Sequence, residues 1–484
     1  MNPLEERELM MTRRRFFGRT GTGVATAALA SLVNQELFAA RQNKQRNAIG
    51  GLKDLPHFKP KASRVIYLFQ SGGPAQMDLY DPKPDLIHRF GEEVPKSVYP
   101  DERKTTMTSG QTSFPVAPSR YQFNRCGQSG IELSEMLPGL SRMADDICVI
   151  RSMHTEAINH DPAATFFQTG SVIPGRPSIG SWMSYGLGSE NGDLPSFVAL
   201  TSGNGGQPLY DRLWGNGFLP GRFQGVKFRG QGDPILDLNN PGGVSQTMRR
   251  RMLDSVKQLN QQQYRRSGAP DIQTRIAQYE LAYRMQMAVP ELVDFASEPQ
   301  SLLNAYGPDV KKTGSYAYNC LLARRLAERG VRFIQLFHRG WDHHGNLPNR
   351  MRALTGATDF PTAALLRDLK QRGMLDDTLV VWGGEFGRTI YCQGKLTEKT
   401  YGRDHHPNCF SMWMAGGGIK GGMTYGSTDD YSVNVADRGV HVHDLQATIL
   451  HQLGIDHELL TYRHQGRYYR LTDVFGKVID DILA

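Results

Sequence analysis

The sequence predicts an α/β fold with a mostly parallel central sheet and helices on both faces. Three observations predict it. Short apolar runs recur without alternation, as strands buried on both faces require. Stretches with helical apolar spacing separate them. Polar, Gly-bounded loops follow the runs, and in such sheets ligands sit beyond the carboxyl ends of the strands.

The chain begins with an expected export signal over residues 1–40. Residues 12–17 read Thr-Arg-Arg-Arg-Phe-Phe, followed by a short, Gly/Ala-rich, weakly apolar stretch. A charged segment before a short apolar one is an address rather than a span, and the twin arginine resembles a Tat signal. The expected destination is the periplasm or cell surface. Cleavage fits best after Ala40, leaving no stable membrane span. Residues 41–62 are polar, basic and Pro-containing and read as a linker. One domain is expected over 63–484.

Within it, Arg64-Val-Ile-Tyr-Leu-Phe is a buried strand closed by Ser71-Gly-Gly-Pro. The spacing of Leu133, Met136, Leu137, Leu140 and Met143 predicts a helix over 132–146, with a strand at 147–150. A helix over 315–329 ends at Gly330 before the strand 331–337. A third helix, 361–372, ends at Gly373 before the strand 378–382. Residues 245–290 are polar, Gln/Arg-rich and broken at Ser267-Gly-Ala-Pro270, the pattern of an inserted helical hairpin. Residues 202–243 lack periodicity and read as ordered loop.

Composition removes several classes. With 484 residues and 39% hydrophobic content, a core is available and disorder is excluded. Five cysteines without a CxxC pair exclude a disulfide scaffold and a zinc ribbon. The net charge of +8 owes much to Arg13-Arg14-Arg15 and Arg249-Arg250-Arg251, and no aromatic-basic pattern for nucleic acid accompanies it.

The chemistry-bearing residues follow the strands. His338-Arg-Gly-Trp-Asp342-His343-His344-Gly follows one, Gly384-Glu385-Phe-Gly-Arg388-Thr another, and Gly402-Arg-Asp-His405-His406-Pro forms a third cluster. Asn159-His160-Asp161-Pro lies beyond the 147–150 strand, and His441-Val-His443-Asp444 near the end. Two Asp-His-His triplets in Gly-bounded loops point to a divalent metal. Histidine and carboxylate ligands without thiolates suit zinc first, with manganese, calcium or iron as alternatives. Asp444 reads as a helix N-cap.

Together these motifs, with Asn159-His-Asp-Pro-Ala-Ala-Thr-Phe-Phe-Gln-Thr-Gly170 and the tail from Gly439 to Val474, resemble the family called domain of unknown function 1501, its planctomycete-type members above all. That family is similar to the alkaline phosphatase and sulfatase superfamily. The resemblance implies metal ligands at Asp342 with His343 or His344, at Glu385, and at His405 or His406. It places Asp78 as the nearest acid to a first-strand aspartate whose own position holds Gln70 or Ser71. His160 stands where the nucleophile is expected, and no Cys-x-Pro-x-Arg is present to make formylglycine.

The expected function is therefore an exported metal-dependent hydrolase of a phosphate or sulfate ester. Asp342, His344, His405, His406, Glu385 and Asp78 form the candidate metal set. His160 serves as base, nucleophile or ligand, and Arg388 steadies ester oxygens. Asn159, Asp161 and His343 contact an anionic ester or polysaccharide, with the helix start at Asp161-Pro162 presenting N–H groups to the anion. The alternative is a non-catalytic protein that binds metal or an anionic polysaccharide on the same fold. An oxidoreductase gains only from the Tat signal, since no GxGxxG follows a strand.

Overall fold

In a computed structural model the chain is described for residues 50–99, 105–230, 234–235, 238–397 and 399–484. The expected signal over 1–40, with Arg13 and Arg14, lies outside the described residues, as does the expected linker up to residue 49.

The central sheet is built from β1 (Arg64–Ser71), β2 (Ile147–His154), β3 (Phe197–Ser202), β4 (Val226–Phe228), β5 (Phe333–Arg339) and β6 (Thr378–Gly383), all but β4 following an apolar run. A hairpin, β7 (Gly387–Gln393) with β8 (Gly402–His406), stands apart from it. The chain then returns through β9 (Phe410–Ala415), β10 (Met423–Tyr425) and β11 (Val440–His441). The strand order is β10-β2-β9-β6-β1-β5-β3-β4, with β11 also on β2. All pairings are parallel except those of β9 with β2 and β6. The mostly parallel sheet is thus the one the sequence predicts.

Strand pleating explains the unbroken apolar runs. Ile66, Leu68, Ile334, Leu336, Val380 and Trp382 enter one core, while Val65, Tyr67, Phe69, Phe333, Phe337, Leu379 and Val381 enter the other. Because successive side chains point to opposite faces, a strand covered twice has no polar alternation. Helices α1 (His160–Thr169), α2 (Ile179–Leu187) and, near the end, Val442–Gln452 cover the second face. The insertion forms α3 (Gln246–Ser267) and α4 (Pro270–Val293), close to the expected hairpin. Helices α5 (Gln300–Tyr306), α6 (Tyr316–Glu328) and α7 (Leu347–Gln371) cover the first face.

Four expectations are corrected. Residues 132–146 are not a helix: Ile131–Ser134 pairs with Phe123–Cys126, and a 3-10 helix, Leu140–Asp146, follows. The intervening Pro138-Gly139 breaks the run. Helix α7 starts at Leu347 rather than near 361 and continues through Pro361. The 202–243 segment contributes edge strand β4. Residues 50–62 are tied down rather than free, with Leu52 N–H donating to Gly186 O and Ala62 N–H to Gln452 O. Among the described residues, no helix is long and apolar enough to cross a membrane.

Candidate metal centre

Parallel register aligns the ends of three adjacent strands. Gln70 of β1 sits beside His338 of β5, and Phe69 beside Gly383 of β6. The loops that leave these ends carry Gly72, Asp342 and Glu385. Gly72 adopts φ +121°, and a Cβ there would lie 2.5 Å from Asp342 N. Only glycine fits both the dihedral and the close approach of the two loops.

Asp342 is the hub. His344 Nε2 lies 2.7 Å from its Oδ1, His405 Nε2 3.3 Å from Oδ1, and His160 Nε2 3.2 Å from Oδ2. The candidate ligand atoms of these four residues all lie within 4.8 Å of one another. In each imidazole the opposite nitrogen is tethered by an oxygen. His160 Nδ1 meets Glu385 Oε1 at 2.7 Å, His405 Nδ1 meets Ile158 O at 2.7 Å, and His344 Nδ1 meets Gln393 Oε1 at 2.5 Å. Carboxylate, carbonyl and amide oxygens only accept, so each Nδ1 donates its proton, and in the neutral ring each Nε2 presents a lone pair toward Asp342. Metal-ligating histidines are held in this way.

The lone pairs face carboxylate oxygens and need a cation between them. His160 Nε2 and His344 Nε2 are near Asp342 yet make no hydrogen bond, and Glu385 Oε2 is also buried without a partner. The donor set fits a metal: three imidazole nitrogens and a carboxylate, with no thiolate. Side-chain exposures of 15% for His160 and 20% for Asp342 and His344 leave the cluster open on one side, while His405 is at 3%.

Without a metal, protons supply the positive charge. Burial pulls the His160 imidazole down, but the Asp342 carboxylate facing Nε2 and the hydrogen-bonded Glu385 carboxylate outweigh it and lift its pKa to about 9. Burial moves His405 the other way, to about 4, with Asp342 opposing and Arg388 assisting. Burial would raise Asp342, yet the three histidines and Arg388 hold it well below the usual carboxylate range.

The expected site residues divide accordingly. His160, Asp342, His344 and His405 come together. Glu385 joins as the partner of His160 and of the Gly72 N–H, 2.8 Å away, rather than through the hub. His406 faces elsewhere, its Nε2 donating to Val433 O at 2.6 Å, because neighbours on strand β8 point to opposite sides. Asp78 is fully buried against Arg403, Oδ2 to Nε 2.9 Å. His343 is 1% exposed beside Trp341, and burial with Arg388 pushes it down to about 3, so it offers no contact to a substrate. Arg388 is 0% exposed. It donates to Asp342 Oδ1 at 2.6 Å, Gly73 O at 2.9 Å, Arg403 O at 3.1 Å and Gly72 O, which leaves no free edge for an ester oxygen.

Asn159 is the exposed N-cap of α1, and Asp161 accepts from Arg212. The acid of the second triplet, Asp404, accepts from Thr105 and Thr108 hydroxyls at 2.6 and 2.5 Å and is not a ligand. His441, not Asp444, caps the last long helix, and Asp444 completes a capping box. Phe386 packs on His405 and His160, with ring centroids 4.4 and 5.2 Å away. Sequence reasoning missed the tethers Gln393 and Ile158 O. A backbone carbonyl leaves no residue-type signal.

A search of curated proteins finds no significant match. Among solved structures the chain is similar to the PsFucS1 sulfatase from Pseudoalteromonas sp., at 12% identity over 84% of this chain and 69% of that one, TM-score 0.32. It is also similar to the alkaline phosphatase from the Antarctic bacterium TAB5, at 11% identity over 81% and 97%, TM-score 0.30. A protein in the alkaline phosphatase superfamily from Vibrio parahaemolyticus is similar at 10% identity over 86% and 74%, TM-score 0.36. A family model matches residues 62–483, and the chain belongs to that family, described as Protein of unknown function (DUF1501).

Proposed function

We propose that the chain is an exported metal-dependent hydrolase of a phosphate or sulfate ester. The observation that carries this reading is the convergence of three Nδ1-tethered imidazoles on Asp342 in a cluster with one open side. His160, Asp342, His344 and His405 hold the metal. Three nitrogens in the set favour zinc, then manganese or iron, over calcium, which takes six to eight oxygens. When bound, the metal supplies Lewis-acid polarisation of an ester oxygen. Glu385 fixes the His160 ring. Arg388 locks Asp342 in place and ties the Gly72-Gly73 loop to it. His160 acts as a ligand in this reading, since both ring nitrogens are already directed. Export rests on the twin arginine, and failure of export in an Arg13→Lys/Arg14→Lys/Arg15→Lys variant is the expected outcome.

One observation favours the non-catalytic alternative. Four protein ligands fill a tetrahedral zinc site, whereas catalytic zinc keeps one position open. Turnover of aryl phosphates and aryl sulfates by metal-loaded protein separates the two. Hydrolysis that disappears in His344→Ala supports the hydrolase. Stoichiometric metal with no turnover across both ester classes supports a binding protein.

A further inference from the structure

A second concave feature opens at the same end of the sheet, on the other side of β5. It is a cavity of about 630 Å³ at the carboxyl ends of β3, β4 and β5. Among the described residues, Lys227, Arg229, Lys312 and Arg339 line it, against the single carboxylate of Asp309. Among the described residues, none of these four cations has a carboxylate partner within ion-pair distance. Arg339 donates only long bonds, 3.4 Å each, to the carbonyls of Gly205 and Gly203.

Two further features point at a ligand. His338 is 4% exposed and lines the cavity. Its Nδ1 lies 2.9 Å from Ser202 Oγ, and its Nε2 has no partner. Burial, reinforced by Arg339, keeps this imidazole neutral, down near a pKa of about 3. An unpaired buried ring nitrogen leaves a desolvation cost that a bound polar group removes. The N-terminus of the 13-residue helix α6 also opens here, with Ser315 as its cap and Thr313, Gly314 and Ser315 in the cavity wall. Free N–H groups and the helix dipole favour an anion at that position.

We infer that this cavity binds a saccharide carrying a phosphate or sulfate group. The cations and the first turn of α6 take the anion. The neutral His338, with Asn204, Thr201 and Thr313, suits the hydroxyls, and the volume is of the size that houses a small organic ligand rather than one oxyanion. The site is distinct from the metal cluster, although β5 feeds both: His338 and Arg339 line the cavity, and Asp342 reaches the cluster three residues further on. The inference therefore holds whether or not the cluster is catalytic.

Titration calorimetry of the full chain at low ionic strength tests it, with inorganic phosphate, inorganic sulfate, glucose 6-phosphate and glucose 6-sulfate as probes. The proteins are wild type, His344→Ala, which impairs the metal cluster, and Lys227→Ala/Lys312→Ala, which alters two exposed side chains. A fourth, His338→Gln, probes the buried nitrogen. The expected result is tighter binding of a glucose ester than of its inorganic ion, retained in His344→Ala and weakened about tenfold or more in the double-lysine variant. Comparison of the two esters shows which anion the cavity takes. Weakening in a folded His338→Gln protein adds support, and the lysine variant decides the matter alone if that protein does not fold. Absence of binding by any probe, wild-type affinity in the double-lysine variant, or loss of binding in His344→Ala alone overturns the inference. Equal affinity for inorganic ions and glucose esters overturns its saccharide part.

Discussion

Glu385 Oε1 accepts from His160 Nδ1 at 2.7 Å and from the Gly72 N–H at 2.8 Å, joining the ends of β6 and β1 to the first residue of α1. One fully buried carboxylate thus sets both the tautomer and the orientation of the ring that faces Asp342. Glu385→Gln keeps the shape and weakens the acceptor, and an amide that flips offers a donor instead. Metal affinity is expected to fall about 10- to 100-fold, as for other partners of ligating histidines. Competition against a coloured chelator measures it, and unchanged affinity would remove Glu385 from the site.

The raised pKa of His160 has opposite consequences with and without metal. In metal-free protein the folded state binds this proton more tightly than the unfolded chain does. Its stabilisation is complete below the ordinary histidine value of about 6.5 and is lost as pH rises through about 9. Metal binding needs the Nε2 lone pair, so metal affinity falls as pH drops below about 9. Melting curves from pH 6 to 10 should therefore show a gap between metal-loaded and chelated protein that widens with pH. The His160→Gln protein should lose the pH-dependent part of that gap. Parallel curves across the range would contradict this.

Asp78 belongs to the scaffold. Both it and Arg403 are 0% exposed and lie 2.9 Å apart, and Arg403 also donates to Thr389 O at 3.0 Å. Asp78→Asn leaves a buried guanidinium without its counter-charge and is expected to cost about 3–5 kcal/mol of stability. Metal content per folded molecule should stay at the wild-type level. Denaturant unfolding and metal analysis of the folded fraction check both halves, and metal loss in a stable variant would return Asp78 to the ligand set.

The legible parts of the fold were those with one dominant physical cause. Strands β1, β5 and β6 read as unbroken apolar runs because both faces are covered, and Gly330 and Gly373 marked helix ends. The 132–146 segment misled because Leu133, Leu137, Leu140 and Met143 are all buried at helical spacing, though a hairpin strand, the loop after it and a 3-10 helix bury them. At the site, the Asp-His-His triplets pointed to a metal-binding cluster and His344 was singled out from its pair, but His405 and His406 were not told apart. Strand pleat decides for His405 against His406, and loop geometry decides for His344 against His343. The role of Arg388 was hidden because its acceptors include backbone carbonyls of Gly72 and Gly73, more than 300 positions away in the chain.

The central claim is that His160, Asp342, His344 and His405 hold one divalent transition metal. Element-specific analysis at known protein concentration tests it most directly, on wild type purified without chelator and on a folded His344→Ala variant. The expected result is about one equivalent of metal in wild type, zinc ahead of manganese or iron, and a loss of most of it in the variant. Wild-type protein that stays metal-free after incubation with each of the three ions, or a variant that retains full occupancy, would contradict it.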